Sequence, residues 1–215
     1  MTISVVFCDD HTLFREAVQR VIDGHPDIEV VAGAASVDEG IEAIAAHKPD
    51  VAVIDVRLGE GSGITVAQWI KAHLSTTRAI MVSAFSSDRV LVDAYVSGAA
   101  AFILKDASAE TLLRTITDVS AGLNFITPEE ARAAQERLNA SKSAVLGTLS
   151  PSDRHILSLL ATGKTDPQIA AAMYLSTQTI RNRMSRLLGE FGFANRTQLA
   201  LFVARHSSET DANPT

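Results

Sequence analysis

The sequence predicts an α/β fold for the first part of the chain, a (βα)5 doubly wound parallel sheet, followed by an all-α four-helix unit. Three observations predict it. Between residues 1 and 122, short β-branched and apolar runs alternate five times with helical patterning, and strict alternation of this kind builds a parallel sheet covered on both faces. From residue 148 the strand-like runs stop, and four helical stretches follow. The charge changes at the same place: residues 148–206 hold seven Lys/Arg against three acids, whereas residues 1–147 hold twelve against twenty. With 215 residues, the chain suits one large or two modest domains and can bury a real core.

The strand candidates, in order, are 3–8, 28–33, 51–54, 79–83 and 101–104. Helices are expected near 11–24, 37–47, 64–75, 87–97 and 108–121. Ser36 can cap the second and Pro49 stop it, and Ser108 with Glu110-Thr111 opens the fifth. Residues 123–147 read as a linker, polar and alanine-rich, with helical patterning over 128–140. Ser150 as N-cap, Pro151 at the first helical position and Asp153 in the first turn then start a helix whose apolar face is Ile156, Leu157, Leu160 and Ala161. Gly163 ends it. Asp166-Pro167 opens a second short helix, Tyr174-Leu175 turns the chain, and Ser176 caps a third through about Gly189. A fourth runs from about Asn195 to His206, with Leu199, Phe202 and Val203. Two helices joined by a tight turn, the second following a cap, make a helix-turn-helix within 148–206. The polar tail 207–215 reads as disordered.

Several classes drop out. The single cysteine, Cys8, falls in a buried strand, so it reads as core and no disulfide forms within a monomer. The N-terminus enters a strand without the pattern of a signal peptide. No apolar run approaches the roughly 18 residues of a membrane span. A cytoplasmic protein without a membrane partner is expected. The basic C-terminal stretch suggests that only this part meets a polyanion.

Chemistry concentrates at the ends of the predicted strands. Asp9 and Asp10 follow the first and Asp55 the third, so in one parallel sheet all three carboxylates converge at the carboxyl edge, where open α/β sheets place their sites. Crowded carboxylates repel one another unless a cation sits among them. Oxygen-only ligands suit a hard divalent ion, Mg²⁺, which accepts a phosphate. Ser83 and Lys105 close the fourth and fifth strands. Either alone is an ordinary polar strand end; beside the acids, a hydroxyl and an ammonium are suited to hold anionic oxygens. Asp55 then becomes a nucleophile that forms an acyl phosphate, with Asp9 and Asp10 holding the ion.

On the third C-terminal helix, Ile180, Met184, Leu187, Leu188 and Phe191 fall on one side. The opposite side presents Gln178, Asn182, Ser185 and Arg186, flanked by Thr179, Arg181 and Arg183. Apolar inward and donor-rich outward is what a helix lying in a DNA major groove needs, although an ordinary basic surface helix shows similar charge. Asn182 projects furthest from the apolar side and should meet base edges.

These residues carry a resemblance. Residues 1–122 resemble the receiver domain of two-component response regulators in Asp9-Asp10-His11, Asp55 with Gly63 eight residues on, Ser83-Ala84, Gly98-Ala99 and Phe102-Ile103-Leu104-Lys105-Asp106. Residues 148–206 resemble the DNA-binding domain of LuxR/NarL/FixJ-type regulators in Leu149-Ser150-Pro151, Gly163-Lys164, Gln168-Ile169-Ala170, Leu175-Ser176, Thr179-Ile180, Asn182 and Arg196-Thr197. The resemblance implies sheet order 2-1-3-4-5 and phosphoryl transfer to Asp55 from a sensor histidine kinase. It implies that the backbone carbonyl of Arg57 completes the Mg²⁺ shell, and that Ser83 and the aromatic Phe102 reposition on phosphorylation. It also implies a homodimer, joined through the fourth helix, on paired half-sites of double-stranded DNA, with RNA polymerase a candidate further partner. Leu58-Gly59 departs from the family's usual Met-Pro, and Asp166-Pro167 and Arg183 depart within the DNA-facing region. Three rivals stand beside this reading. A regulator could use a phosphorylation-independent receiver for dimerisation or ligand sensing. A Mg²⁺-dependent aspartyl-phosphate phosphohydrolase would want an Asp-x-Asp pattern after the first strand. A flavodoxin-like FMN carrier would want a Ser/Thr-rich loop there, where this chain has acids.

Overall fold

The strand-forming runs of the first half are β-branched and apolar on both faces, and both faces are covered. In the computed structural model, which describes residues 2–210 and side chains through residue 206, these runs become β1 (Ile3–Cys8), β2 (Ile28–Ala34), β3 (Val51–Asp55), β6 (Arg78–Ser83) and β7 (Ala101–Leu104). They pair in parallel in the order β2-β1-β3-β6-β7, which is the expected 2-1-3-4-5. Alternate residues point to opposite faces. Val5, Phe7, Val53, Ile80 and Val82 pack with α1 (Thr12–Asp23) and α5 (Ala109–Ser120). Val6, Cys8, Ala52, Ile54 and Met81 pack with α2 (Val37–His47), α3 (Gly63–His73) and α4 (Asp88–Ser97).

Local chemistry sets the helix ends. Ser36, Ser87 and Ser108 accept from the backbone N–H groups of Glu39, Val90 and Thr111. Lys48 ends α2 in the left-handed region, just before Pro49. A short hairpin in the loop after β3 was not expected: β4 (Arg57–Leu58) pairs antiparallel with β5 (Gly61–Ser62). Gly59 supplies the positive φ of its turn. Leu58 is buried, so the hairpin and an apolar anchor hold the loop that lacks the family's proline.

The expected linker is largely structured. Phe125 N–H donates to the Ala100 carbonyl at 2.6 Å, Arg78 donates to Asn124 Oδ1 at 2.5 Å, and Ile126 joins the second core. Thr127 and Glu130 then cap each other reciprocally and start α6 (Pro128–Thr148), which runs well beyond the expected end at 140.

The chain divides into two compact units, Met1–Arg137 and Leu138–Thr215, so α6 contributes to both. The second unit adds α7 (Pro151–Ala161), α8 (Asp166–Met173), α9 (Thr177–Phe191) and α10 (Arg196–Thr210) around Ile156, Leu157, Leu160, Ile169, Ile180, Leu187, Leu199 and Phe202. Val145 and Leu146 of α6 pack against this core. Ser150 and Ser176 cap α7 and α9 as expected. Helix α8 opens at Asp166-Pro167 as expected, with Thr165 as its cap, whose N–H donates to Gln168 Oε1 at 2.8 Å. Tyr174 turns the chain with a φ of 55°. Helix α10 continues through Thr210, taking in the first residues of the stretch expected to be a disordered tail; residues 211–215 lie outside the described residues. Among the described residues no helix is long and apolar enough to cross a membrane.

Candidate functional site

Because β1 and β3 are adjacent and parallel, the residues that follow them share one edge. There Asp9 is fully buried, Asp55 is 4% exposed and Asp10 faces solvent. Lys105, just after β7, reaches over the edge and places Nζ 2.6 Å from Oδ2 of both Asp9 and Asp55. Its ammonium also lies 4.9 Å above the ring of Phe14. Ser83 is buried at the end of β6; its hydroxyl oxygen accepts from Phe85 N–H at 3.2 Å, and its carbonyl accepts from Lys105 N–H at 2.8 Å. The Arg57 backbone N–H donates to Asp55 Oδ1 at 3.2 Å, while its side chain is exposed. Phe102 sits half-buried on β7 against the second core.

The sequence reading missed three participants. His11 Nδ1 lies 2.9 Å from Asp10 Oδ1 and 3.3 Å from Asp9 Oδ1, and its ring joins the carboxylates in one cluster of donor atoms within 4.8 Å of one another. The Arg15 guanidinium donates to the Asp9 carbonyl, and Phe14 seats Lys105. The adjacency Asp9-Asp10-His11 was a signal for the first; the other two depend on how α1 starts over the sheet edge.

Burial pushes the Asp55 carboxyl above the usual carboxylate range, more than Lys105 and the Arg57 N–H pull it down. Burial works against the Lys105 ammonium, but its bonds to Asp55 and Asp9 outweigh that and hold it above the ordinary lysine value. The Cys8 thiol is pushed up to about 12 by burial and by the charge of Asp9, as fits a core residue. Asp9 Oδ2 is buried and, apart from the ion pair with Lys105, has no aligned hydrogen-bond donor among the described residues. An under-bonded buried carboxylate beside two more, one of them open to solvent, fits a hard cation that retains waters.

On α9, Ile180, Met184, Leu187 and Phe191 are buried as expected. Gln178, Arg181, Asn182, Ser185 and Arg186 are exposed, with Thr179 and Arg183 half-buried. Gln178 Nε2 donates to Asn182 Oδ1 at 2.9 Å. The arginines are not equivalent. Arg183 donates to Ser152 Oγ at 2.6 Å and lies 3.5 Å from Asp153 Oδ1. Arg186 bonds Asp153 Oδ2 at 2.8 Å and Glu190 Oε1 at 3.0 Å. Arg181 alone of the three has no ion pair among the described residues. Asp153 is itself buried at the start of α7.

Residues 5–117 match the response regulator receiver domain family, and residues 147–203 match the bacterial regulatory proteins of the luxR family. The chain is a response regulator of the LuxR/NarL type. This regulator is 35% identical over 203 residues to the DNA-binding transcriptional activator DevR/DosR of Mycobacterium tuberculosis, covering 94% of each chain. It is 30% identical over 194 residues to a probable transcriptional regulatory protein, NarL, of the same organism, covering 90% of each. Among solved structures, the signal receiver domain of NarL from M. tuberculosis superposes with a TM-score of 0.55 at 34% identity, covering 56% of this chain and 98% of that one. The receiver is therefore joined to a LuxR-type DNA-binding domain, the order that the two halves of the sequence imply.

Proposed function

We propose that Asp55 takes a phosphoryl group from a sensor histidine kinase, and that this step controls DNA binding by the C-terminal unit as a homodimer. The observation that carries the reading is Lys105 Nζ at 2.6 Å from both Asp9 and Asp55, with buried Ser83 on the strand between β3 and β7. A carboxylate oxygen of Asp55 attacks phosphorus; the O–P bond forms as the P–N bond of the phosphohistidine breaks, and its electron pair stays on the imidazole. Asp9, Asp10 and Asp55, with the backbone carbonyl of Arg57, would hold Mg²⁺, which when bound neutralises charge on the transferring oxygens. Lys105 is placed to trade a carboxylate partner for a phosphoryl oxygen. The Ser83 hydroxyl accepts from Phe85 N–H and keeps its own proton to donate to another. Phe102 then follows Ser83, changing the surface at β7.

In the second unit Gln178, Thr179, Asn182 and Ser185 face the bases, and Arg181 faces bases or phosphates. Arg183 and Arg186 reach DNA from positions braced by Ser152, Asp153 and Glu190. Dimerisation through α10 pairs two half-site readers, which raises affinity through effective concentration. The protein acts in the cytoplasm as a transcription regulator rather than an enzyme, with RNA polymerase as a further partner. Relatives described as transcriptional regulators support the DNA-binding part of this reading.

The test is intact-mass analysis after incubation with acetyl phosphate and Mg²⁺. The wild type should gain one phosphoryl group and Asp55→Asn none. An unchanged adduct in the Asn variant moves the acceptor elsewhere.

A further inference from the structure

The ion pairs on α1, α4, α5 and in the first turns of α6 join residues one helical turn apart, Arg89 with Asp93 and Arg132 with Glu136 among them. One pair differs. Arg137 of α6 grips Asp88 of α4 across 49 residues of sequence, Nε lying 3.0 Å from both carboxylate oxygens and Nη2 2.5 Å from Oδ1. A two-toothed grip of this kind fixes direction as well as distance. Its position matters more than its strength. Asp88 is the first residue of α4 and follows Ser87, the cap of that helix. Three residues separate Ser87 from Ser83, and that stretch is tied to Ser83 by the Phe85 N–H bond. Arg137 lies on α6, the chain's covalent passage from the receiver to the DNA-binding unit, and α6 buries Ala131 and Ala134 in the same stretch.

We propose that the Asp88–Arg137 pair is a latch, holding the first half of α6 on the receiver in the unphosphorylated protein and released when the segment from Ser83 to Ser87 moves. The trigger rests on Asp55 being the acceptor; the latch itself is measured without any phosphodonor, so the two ideas fail separately. Arg137 is 59% exposed and Asp88 31%. A pair this exposed shifts an equilibrium only a few-fold, so a small displacement of Asp88 is enough to open it. The guanidinium also holds the Asp88 carboxyl below its usual range, so the pair is intact throughout the neutral region.

The experiment uses the full chain without phosphodonor and reads two quantities: amide hydrogen exchange across residues 128–137, and affinity for a fluorescent duplex of random sequence. Arg137→Ala and Asp88→Ala should each speed exchange and each raise affinity about two- to fivefold. The charge swap Asp88→Arg with Arg137→Asp should return both readings toward the wild type. Net charge alone predicts the opposite for the two single variants, since one loses a cation and the other an anion. Affinities moving in opposite directions, unchanged exchange in both single variants, or a swap that restores neither reading would overturn the latch.

Discussion

Gly63 sits where no side chain fits, and adding one methyl group tests how firmly the edge of the sheet is held. A Cβ at this position would lie 1.9 Å from the carbonyl oxygen of Asp55 and 2.7 Å from Ile54 Cγ2. The gap to that oxygen must open by about 1.5 Å to reach an ordinary contact of 3.4 Å. The backbone there has little room to yield: Gly63 N–H donates to Val56 O at 3.0 Å, Val56 N–H donates to Val82 O at 2.8 Å, and Asp55 is paired with Val82 in the ladder. Overpacking against pinned backbone belongs at the upper end of its usual range, about 3 kcal/mol. For a unit of this size that lowers Tm by roughly 10 °C. Gly61→Ala is the matched control. Its Cβ would meet Val37 Cγ2 at 2.7 Å, a side-chain methyl rather than pinned backbone; valine is stiff about χ1 in a helix, so the relief costs about 0.5–1.5 kcal/mol, still well below the Gly63 cost. The single tryptophan, Trp69, lies on α3 one turn from its end, stacked on His73, and its fluorescence reports the melting of the receiver in the intact protein. Equal melting temperatures for the two alanine variants would refute the claim that the Asp55 carbonyl defines this position.

Three further predictions concern the second unit. Burial alone would raise the Asp153 carboxyl, but bonds from Ser150 and Arg186 and the charges of Arg186 and Arg183 bring it below the usual range. A native value depressed in this way stabilises fully above the unfolded carboxylate value of about 3.9, and the contribution is lost as pH falls through the lower native value. Amide exchange in α7 and α9 should therefore quicken steeply in that acid window for the wild type and less steeply for Asp153→Asn; parallel profiles would dismiss Asp153 as the cause. On the DNA face, Asn182→Ala should narrow the ratio of operator to random-duplex affinity, by about 1–3 kcal/mol if it makes a bidentate base contact. Arg181→Ala should weaken both and reduce the salt slope by about one. A salt titration in which Asn182→Ala keeps the full ratio would show that α9 enters the groove rotated from the orientation its buried side dictates.

What could be read beforehand followed from periodicity. Asp9, Asp55, Ser83 and Lys105 were legible as a group because each ends an apolar run, and parallel topology alone brings such ends to one edge. The hairpin of Arg57-Leu58 with Gly61-Ser62 was not legible, because two residues per strand carry no alternation. The polar, alanine-rich stretch shows helical patterning only over 128–140; the apolar Val145 and Leu146, packed against the core of the second unit, carry α6 on to Thr148. The helical period gave the outward side of α9 but not its neighbours. That Arg183 and Arg186 bend back to Ser152 and Asp153, more than thirty residues away, is a tertiary fact which no wheel displays.

The ammonium shared by Asp9 and Asp55 arrives late. Those two carboxylates are present once β3 has been made, whereas Lys105 follows β7, the last strand of the sheet. During synthesis on the ribosome, a chain that has completed α4 holds both acids with no cation from its own sequence between them, and its β6 still presents an unpaired edge. Ordering β7 closes that edge and delivers the neutralising charge in one event. Nascent or proteolysed fragments that stop short of residue 101 lack the Lys105 ammonium, and with it the contact that joins Asp9 to Asp55 at the sheet edge.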